Sequence, residues 1–279
     1  MDVKKILIND GFRFEKKYGQ NFLTDETLLG GIVEKSGAGK NDTVLEIGVG
    51  AGTLTREIAK RVKKVYGYEI DKKLKAVISK TLGEFDNVEI IFEDVMRVPM
   101  KELEEKIGVK YTLIANLPYY ITTPVIMRFA EQSENCESIS VTVQKEVAER
   151  LAALPGTSDY GAITASLNLV ADCELTKYIG REKFFPSPNV DSAVVKITFD
   201  KNKFAGADKE KCRKLIKNAF LMRRKTLVNN LMSGYSLPRA AAENLIAAAG
   251  IDKDARGESL SAKDFVRLCG VIEKENAVN

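Results

Sequence analysis

The chain has 279 residues, with 43 Lys and Arg against 39 Asp and Glu, a net charge of +4, and 44% hydrophobic residues, a composition that suits one large globular domain or a large one with a small one. It contains no histidine, so an imidazole base, a Ser-His or Cys-His pair and a histidine metal ligand are excluded. Its four cysteines, at 136, 173, 212 and 269, show no CxxC pairing, which argues against a zinc site or a disulfide framework; no apolar run reaches membrane-span length, and the expected compartment is the cytosol.

Residues 13–23, RFEKKYGQNFL, form a basic, aromatic lead-in that ends on Asn21, Phe22 and Leu23, and Asp25 then opens an amphipathic helix through Val33. The stretch Thr43 to Thr53, TVLEIGVGAGT, reads as a buried strand (Val44, Leu45, Ile47) that runs into a glycine turn and a helix. Gly48, Gly50 and Gly52 let the backbone turn sharply and approach a ligand closely. A dinucleotide fingerprint needs another glycine where Thr53 stands. Glu46 would also repel a diphosphate. That carboxylate suits a ligand carrying positive charge, such as the ammonium and sulfonium of S-adenosylmethionine (SAM).

A helix over Leu54 to Val62 and a strand over Val65 to Ile70 follow, and Glu69 falls about 20 residues beyond the glycines, where an acid holds ribose hydroxyls. Asp71 to Leu82 reads as a helix, and Val88 to Phe92 as a third strand closing on Glu93 and Asp94. Strands alternating with helices imply an α/β architecture with a doubly wound, mostly parallel sheet whose ligands lie at the carboxyl ends of the strands. Glu46, Glu69 and Asp94 all fall at such ends, and Asp94 is assigned to the adenine amino group.

The fourth strand, Tyr111 to Ala115, runs into Asn116-Leu117-Pro118-Tyr119-Tyr120. An adenine exocyclic amine is a weak nucleophile because its lone pair is delocalised into the ring. The Asn116 side-chain oxygen and the Leu117 carbonyl can accept its two hydrogens, which favours a pyramidal nitrogen with its lone pair aimed at a methyl group. Pro118 stiffens the turn that aims the carbonyl, and Tyr119 offers a stacking face for a base flipped from its neighbours.

Ser192 to Phe199, SAVVKITF, is strongly β-forming and is expected as an antiparallel last strand. The composition then shifts over Asp200 to Asp208, giving a catalytic domain over 1–200 and a helical domain over 207–279. Residues 201–279 carry 16 Lys and Arg against 9 Asp and Glu. Lys211 to Lys225 places Cys212, Leu215, Ile216, Ala219 and Phe220 at helical spacing. It carries Lys211, Arg213, Lys214, Lys217, Arg223, Arg224 and Lys225 without an acid. Such a run can be a solvated face, but a one-signed stripe is also what phosphate contact requires. It is therefore assigned to RNA docking, with Arg13, Lys16 and Lys17 as weaker candidates on the catalytic side. A helix after Ser236 and Pro238 ends at Gly250, and a last one starts near Ser261 with Asp264 placed for a capping box.

The series KKYGQNFL, VLEIGVGAG, YEID, NLPYYITTP, VQKEVAERL, YGAIT and FFPSPNVDSAVV resembles the ribosomal RNA adenine dimethyltransferases over nearly the whole chain, and specifically the branch that modifies small-subunit rRNA. The resemblance implies a Rossmann-like SAM-dependent methyltransferase fold and two methyl groups placed on each of two adjacent adenosines in a hairpin loop near the end of that RNA. It implies Asn21, Leu23, Gly48, Glu69, Asp94 and Asn116 as cofactor contacts, with Gly50 in the same loop. Asn116, Leu117 and Tyr119 then surround the target base, with Phe184 closing its other face. Glu93 departs from the family pattern, where many members carry glycine. Three other readings share parts of this signature: a resistance-type enzyme acting on large-subunit rRNA, a DNA or other adenine methyltransferase, and a ribosome-assembly factor with secondary catalysis. No heptad or long apolar edge calls for a dimer, so a monomer that needs no metal and touches no membrane is expected.

Overall fold

This computed structural model describes residues 5–6 and 21–278, and nine strands and eleven α-helices order the second of these segments. In chain order the first part runs β1 (Phe22–Leu23), α1 (Glu26–Ser36), β2 (Thr43–Ile47), α2 (Thr53–Ala59), β3 (Lys64–Tyr68), α3 (Lys75–Leu82), β4 (Val88–Ile91) and α4 (Met100–Ile107). It continues with β5 (Tyr111–Asn116), α5 (Thr122–Gln132), β6 (Cys136–Gln144), α6 (Lys145–Leu151), α7 (Ala162–Leu167), β7 (Ala171–Ile179), β8 (Phe184–Phe185) and β9 (Ser192–Phe199). The last helices are α8 (Lys209–Ala219), α9 (Leu227–Tyr235), α10 (Arg239–Ala248) and α11 (Ala262–Val278).

The seven-stranded sheet has the order β4-β3-β2-β5-β6-β9-β7. Strands β2 to β6 pair in parallel, and β9 runs antiparallel to β6 with Gln144 opposite Ser192. The order reverses between β2 and β5, so the crevice where ligands settle in such sheets opens at the carboxyl ends of those two strands. Antiparallel β9 agrees with the sequence reading. Strands β6 and β7 are additions to the sequence reading, although the polar and apolar alternation of ADCELTKYI in β7 is itself a strand signal.

Chain contacts divide the protein into two units, residues 1–148 with 173–199, and residues 149–172 with 200–279. The first unit's second segment ends at Phe199, beside the expected linker. Residues 149–172, expected in the catalytic domain, belong to the second unit because Tyr160, Ala165 and Leu169 are buried in its helical core with Leu215, Leu231, Ile246 and Phe265. In the first unit α1 is fixed at both ends: Asp25 Oδ1 accepts from Leu28 N at 3.0 Å, and Gly37 terminates the helix at φ 85°. Its face Leu28, Leu29, Ile32 and Val33 packs with Val44, Ile114 and Val194 of the sheet. Each such side chain contributes about 1.5–3 kcal/mol by leaving water. That packing sets the floor beneath the crevice.

In the second unit, Ser261 and Asp264 form the expected capping box: Ser261 N donates to Asp264 Oδ2 at 3.0 Å and Asp264 N to Ser261 Oγ at 3.2 Å. The helical spacing that begins near Lys211 stops at Ala219. Asn230 takes over the helix end, donating through Nδ2 to Ala219 O at 2.9 Å and accepting from Met222 N at 2.9 Å. Arg223, Arg224 and Lys225 therefore lie on the loop after α8.

Candidate active site

A cavity of about 270 Å³ opens at the carboxyl ends of β2, β3 and β5. Its walls bring together every residue named from sequence for the cofactor (Asn21, Leu23, Gly48, Gly50, Glu69, Asp94, Asn116) and for the target base (Leu117, Pro118, Tyr119, Phe184), and they include Glu46. All belong to the first unit.

The glycine turn is shaped by positive φ at Gly48 (79°), Gly50 (58°) and Gly52 (80°). At Gly50 space forbids a side chain too, since a Cβ there would lie 2.7 Å from the Phe22 ring. Gly50 N donates to Glu69 Oε2 at 2.7 Å and Asp71 N to Glu69 Oε1 at 2.8 Å. These two bonds hold the Glu69 carboxyl at the end of β3 with lone pairs left for a further partner. Burial nevertheless raises its pKa, because the desolvation outweighs both amides.

Glu46 is more extreme. It is 1% exposed, and its Oε2 has no hydrogen-bond partner among the described residues. Burial pushes its pKa to about 8, with the Thr55 hydroxyl opposing and the Glu69 charge adding to the shift. A buried carboxyl with an unsatisfied oxygen is costly and marks a place prepared for a partner. Asp94 caps a short turn, accepting from Met96 N at 3.0 Å through Oδ1, while Oδ2 faces Arg97 Nε at 3.4 Å.

Asn116 Nδ2 donates to Asn21 O at 2.9 Å. The bond orients the amide so that Oδ1, the acceptor the chemistry needs, points away from the N-terminal strand. Asn21 precedes β1, which pairs with β8 in the register Phe22↔Phe185 and Leu23↔Phe184. This two-stranded ladder joins the cofactor-side segment to Phe184, which is 4% exposed and packs with Leu23 and Leu29. Tyr119 is half-buried, and its hydroxyl lies 2.8 Å from Ser192 Oγ.

Sequence reasoning missed three contributors. The Asn21 carbonyl acts through backbone and has no residue signature. Phe22 fills the space beside Gly50. Ser192 sits in the quoted segment NVDSAVV, and its alternation with buried Val194 could have placed it on the inner face.

Of the residues assigned to RNA docking, Lys211 pairs with Glu273 at 2.8 Å and Asp208 at 3.6 Å, and Arg213 is half-buried. Lys214 and Lys217 lie exposed on α8 at three-residue spacing, and Arg223, Arg224 and Lys225 lie exposed on the following loop. Arg13, Lys16 and Lys17 lie outside the described residues.

The profile of the family described as ribosomal RNA adenine dimethylase matches residues 11–274. The chain belongs to this family. Among relatives, the dimethylase is 40% identical to Ribosomal RNA small subunit methyltransferase A of Bacillus pumilus (strain SAFR-032), with 98% of this chain and 96% of that protein covered. It is 39% identical to the protein of the same name in Clostridioides difficile (strain 630), covering 97% and 94%. The fold is similar to that of a dimethyladenosine transferase from Plasmodium falciparum (TM-score 0.79, 23% identity, 91% and 98% covered). It is also similar to that of the 23S rRNA methyltransferase ErmE (TM-score 0.71, 25% identity, 90% and 99% covered). The dimethylase thus has a Rossmann-like methyltransferase fold, and the cavity lies where that fold places its ligands.

Proposed function

We propose that this dimethylase uses SAM to dimethylate the exocyclic amino groups of two adjacent adenosines in a hairpin loop near the 3′ end of small-subunit rRNA, during ribosome biogenesis in the cytoplasm. The observation that carries the reading is the convergence of the glycine turn, three strand-end carboxyls and Asn116 on one cavity. Identity near 40% to small-subunit enzymes over nearly the full chain favours that branch over the large-subunit one, to which the likeness is 25% identity and a TM-score of 0.71.

The chain fits SAM. Gly50 leaves room that a Cβ would close, Glu69 offers acceptors for ribose hydroxyls, Asp94 for the adenine amine, and the unpartnered Glu46 oxygen for positive charge. When bound, SAM supplies an electrophilic methyl group on a sulfonium. Asn116 Oδ1 and the Leu117 carbonyl accept the two hydrogens of the target amine, so that its lone pair points at the methyl. Tyr119 and Phe184 confine the flipped base. Methyl transfer to the amine would leave the demethylated thioether of SAM and one proton to be shed to water, for which Asn116 and the Leu117 carbonyl need act only as acceptors, without a strong base. After the first transfer one hydrogen is gone, so one of the two acceptors gives up its partner while the new methyl finds room. Lys214, Lys217, Arg223, Arg224 and Lys225 dock the phosphate backbone, and the enzyme works as a monomer without a metal.

The test is transfer of labelled methyl groups to small subunits lacking their dimethyladenosines, beside large subunits and naked DNA. Label in the small subunit alone is expected; label in the large subunit or in DNA hands the case to the corresponding rival.

A further inference from the structure

The bond from Tyr119 to Ser192 is not explained by packing. Ser192 is fully buried at the start of β9, and its backbone pairs with Gln144 of β6, two strands away from the loop that carries Tyr119. The long Tyr119 side chain bridges that distance, and its phenol meets the Ser192 hydroxyl at 2.8 Å. The backbone of Tyr119 follows Pro118 in a short turn that ends by Ile121, so without that bond its ring would be fixed at one end only. On the opposite side of the same loop Asn116 is held by the Asn21 carbonyl at 2.9 Å. The two side chains proposed to meet the target base are thus tethered from two different segments, the residue before β1 and the start of β9, before any base arrives.

We propose that Ser192 is a positioning residue for the target adenine: its hydroxyl fixes the Tyr119 ring as a rigid wall, so that the base is stacked with its amine between Asn116 Oδ1 and the Leu117 carbonyl. This rests on the rRNA adenine reading above. Preorganisation of this kind acts when the site takes up the reacting geometry, where a small misplacement of a base costs heavily. The Ser192 contact lies on the base side of the cavity, and SAM affinity does not depend on it. Burial, opposed by the Ser192 hydrogen bond and helped by the Asp191 charge, raises the pKa of the phenol, so across neutral pH it serves as a hydrogen-bonding group.

The test is a double-mutant cycle with Ser192→Ala and Tyr119→Phe, each of which removes the same bond from one side. Steady-state kinetics on small subunits give kcat and KM, calorimetry gives the SAM Kd, and denaturant unfolding repeats the cycle without RNA. Each single variant is expected to lower kcat/KM for RNA by about 3- to 10-fold, as for loss of one hydrogen bond, with the SAM Kd unchanged. The double variant is expected to be no worse than either single one. Losses that multiply in the double variant overturn the proposal, as does a Ser192→Ala defect confined to SAM affinity. A wild-type chain inactive on small subunits overturns the rRNA reading itself, and the unfolding cycle then still reports separately whether the bond couples the two residues.

Discussion

Glu46→Gln is the perturbation with the clearest signature. The wild-type carboxyl is buried, its Oε2 lacks a partner among the described residues, and burial raises its pKa from 4.5 to about 8. The folded state therefore binds a proton that the unfolded state has lost. Its stability contribution is complete below pH 4.5 and is lost as pH rises towards 8. With one pKa unit equal to 1.36 kcal/mol, the wild type loses about 2–3 kcal/mol between pH 5 and pH 7 from this group alone. Glutamine keeps the shape and cannot ionise, so that share of the slope disappears. At about 2–4 °C per kcal/mol, the melting temperature of Glu46→Gln should gain about 5–10 °C on the wild type over that interval. Thermal unfolding followed by circular dichroism at pH 5, 6, 7 and 8 measures it. A positively charged ligand is expected to reverse the ordering: SAM binding to the wild type releases a proton, visible as a calorimetric heat that depends on the buffer's ionisation enthalpy, and binding to Glu46→Gln is weaker and releases none. Parallel melting curves at all four pH values would refute the argument that burial keeps Glu46 neutral.

Four further outcomes follow from the same geometry. Asn116→Ala should fold and bind small subunits normally while methyl transfer falls by about 100-fold or more, the scale seen when one preorganised polar group is removed; product formation in single turnover reads it. Gly50→Ala imposes a Cβ on the Phe22 ring at positive φ and should abolish SAM binding measured by calorimetry. Glu104→Gln breaks a buried cluster in which the carboxylate accepts from Tyr111 OH at 3.1 Å and Asn135 N at 2.9 Å. A loss of about 2–4 kcal/mol is expected in denaturant unfolding at pH 7. The bonds hold this carboxyl below its usual pKa against burial, so the wild-type advantage should shrink as the medium is acidified. Replacing Lys214, Lys217, Arg223, Arg224 and Lys225 together by Ser should weaken subunit binding and flatten its salt dependence without changing the SAM Kd.

Much of the catalytic unit was legible because its signals are local. The run Val44, Leu45, Ile47 followed by glycines at 48, 50 and 52 admits little besides a buried strand and a tight turn, and carboxyls spaced at successive strand ends need only a parallel sheet to converge. The capping box at Ser261 was readable for the same reason. What escaped depends on partners far apart in sequence. Residues 149–172 join the helical unit through Tyr160, Ala165 and Leu169, whose packing leaves no mark in composition. Helix α8 ends at Ala219 because Asn230, eleven residues on, takes its carbonyl; nothing in KNAFLMRRK announces it. The pairing of β1 with β8 rests on two residues at each side, too few for a period to appear. Lys211 looked equivalent to its basic neighbours until Glu273, at the other end of the unit, was found to neutralise it.

The central claim is tested most directly by the product itself. Small subunits lacking their adenine dimethylations are incubated with the purified chain and SAM, and the rRNA is digested to nucleosides and mapped by mass spectrometry over time. The account predicts dimethyladenosine at two adjacent positions in one hairpin loop near the 3′ end, absent when Asn116→Ala replaces the wild type. Methyl groups on any other nucleoside, or adenosines that stop at one methyl with the wild-type chain, would contradict it.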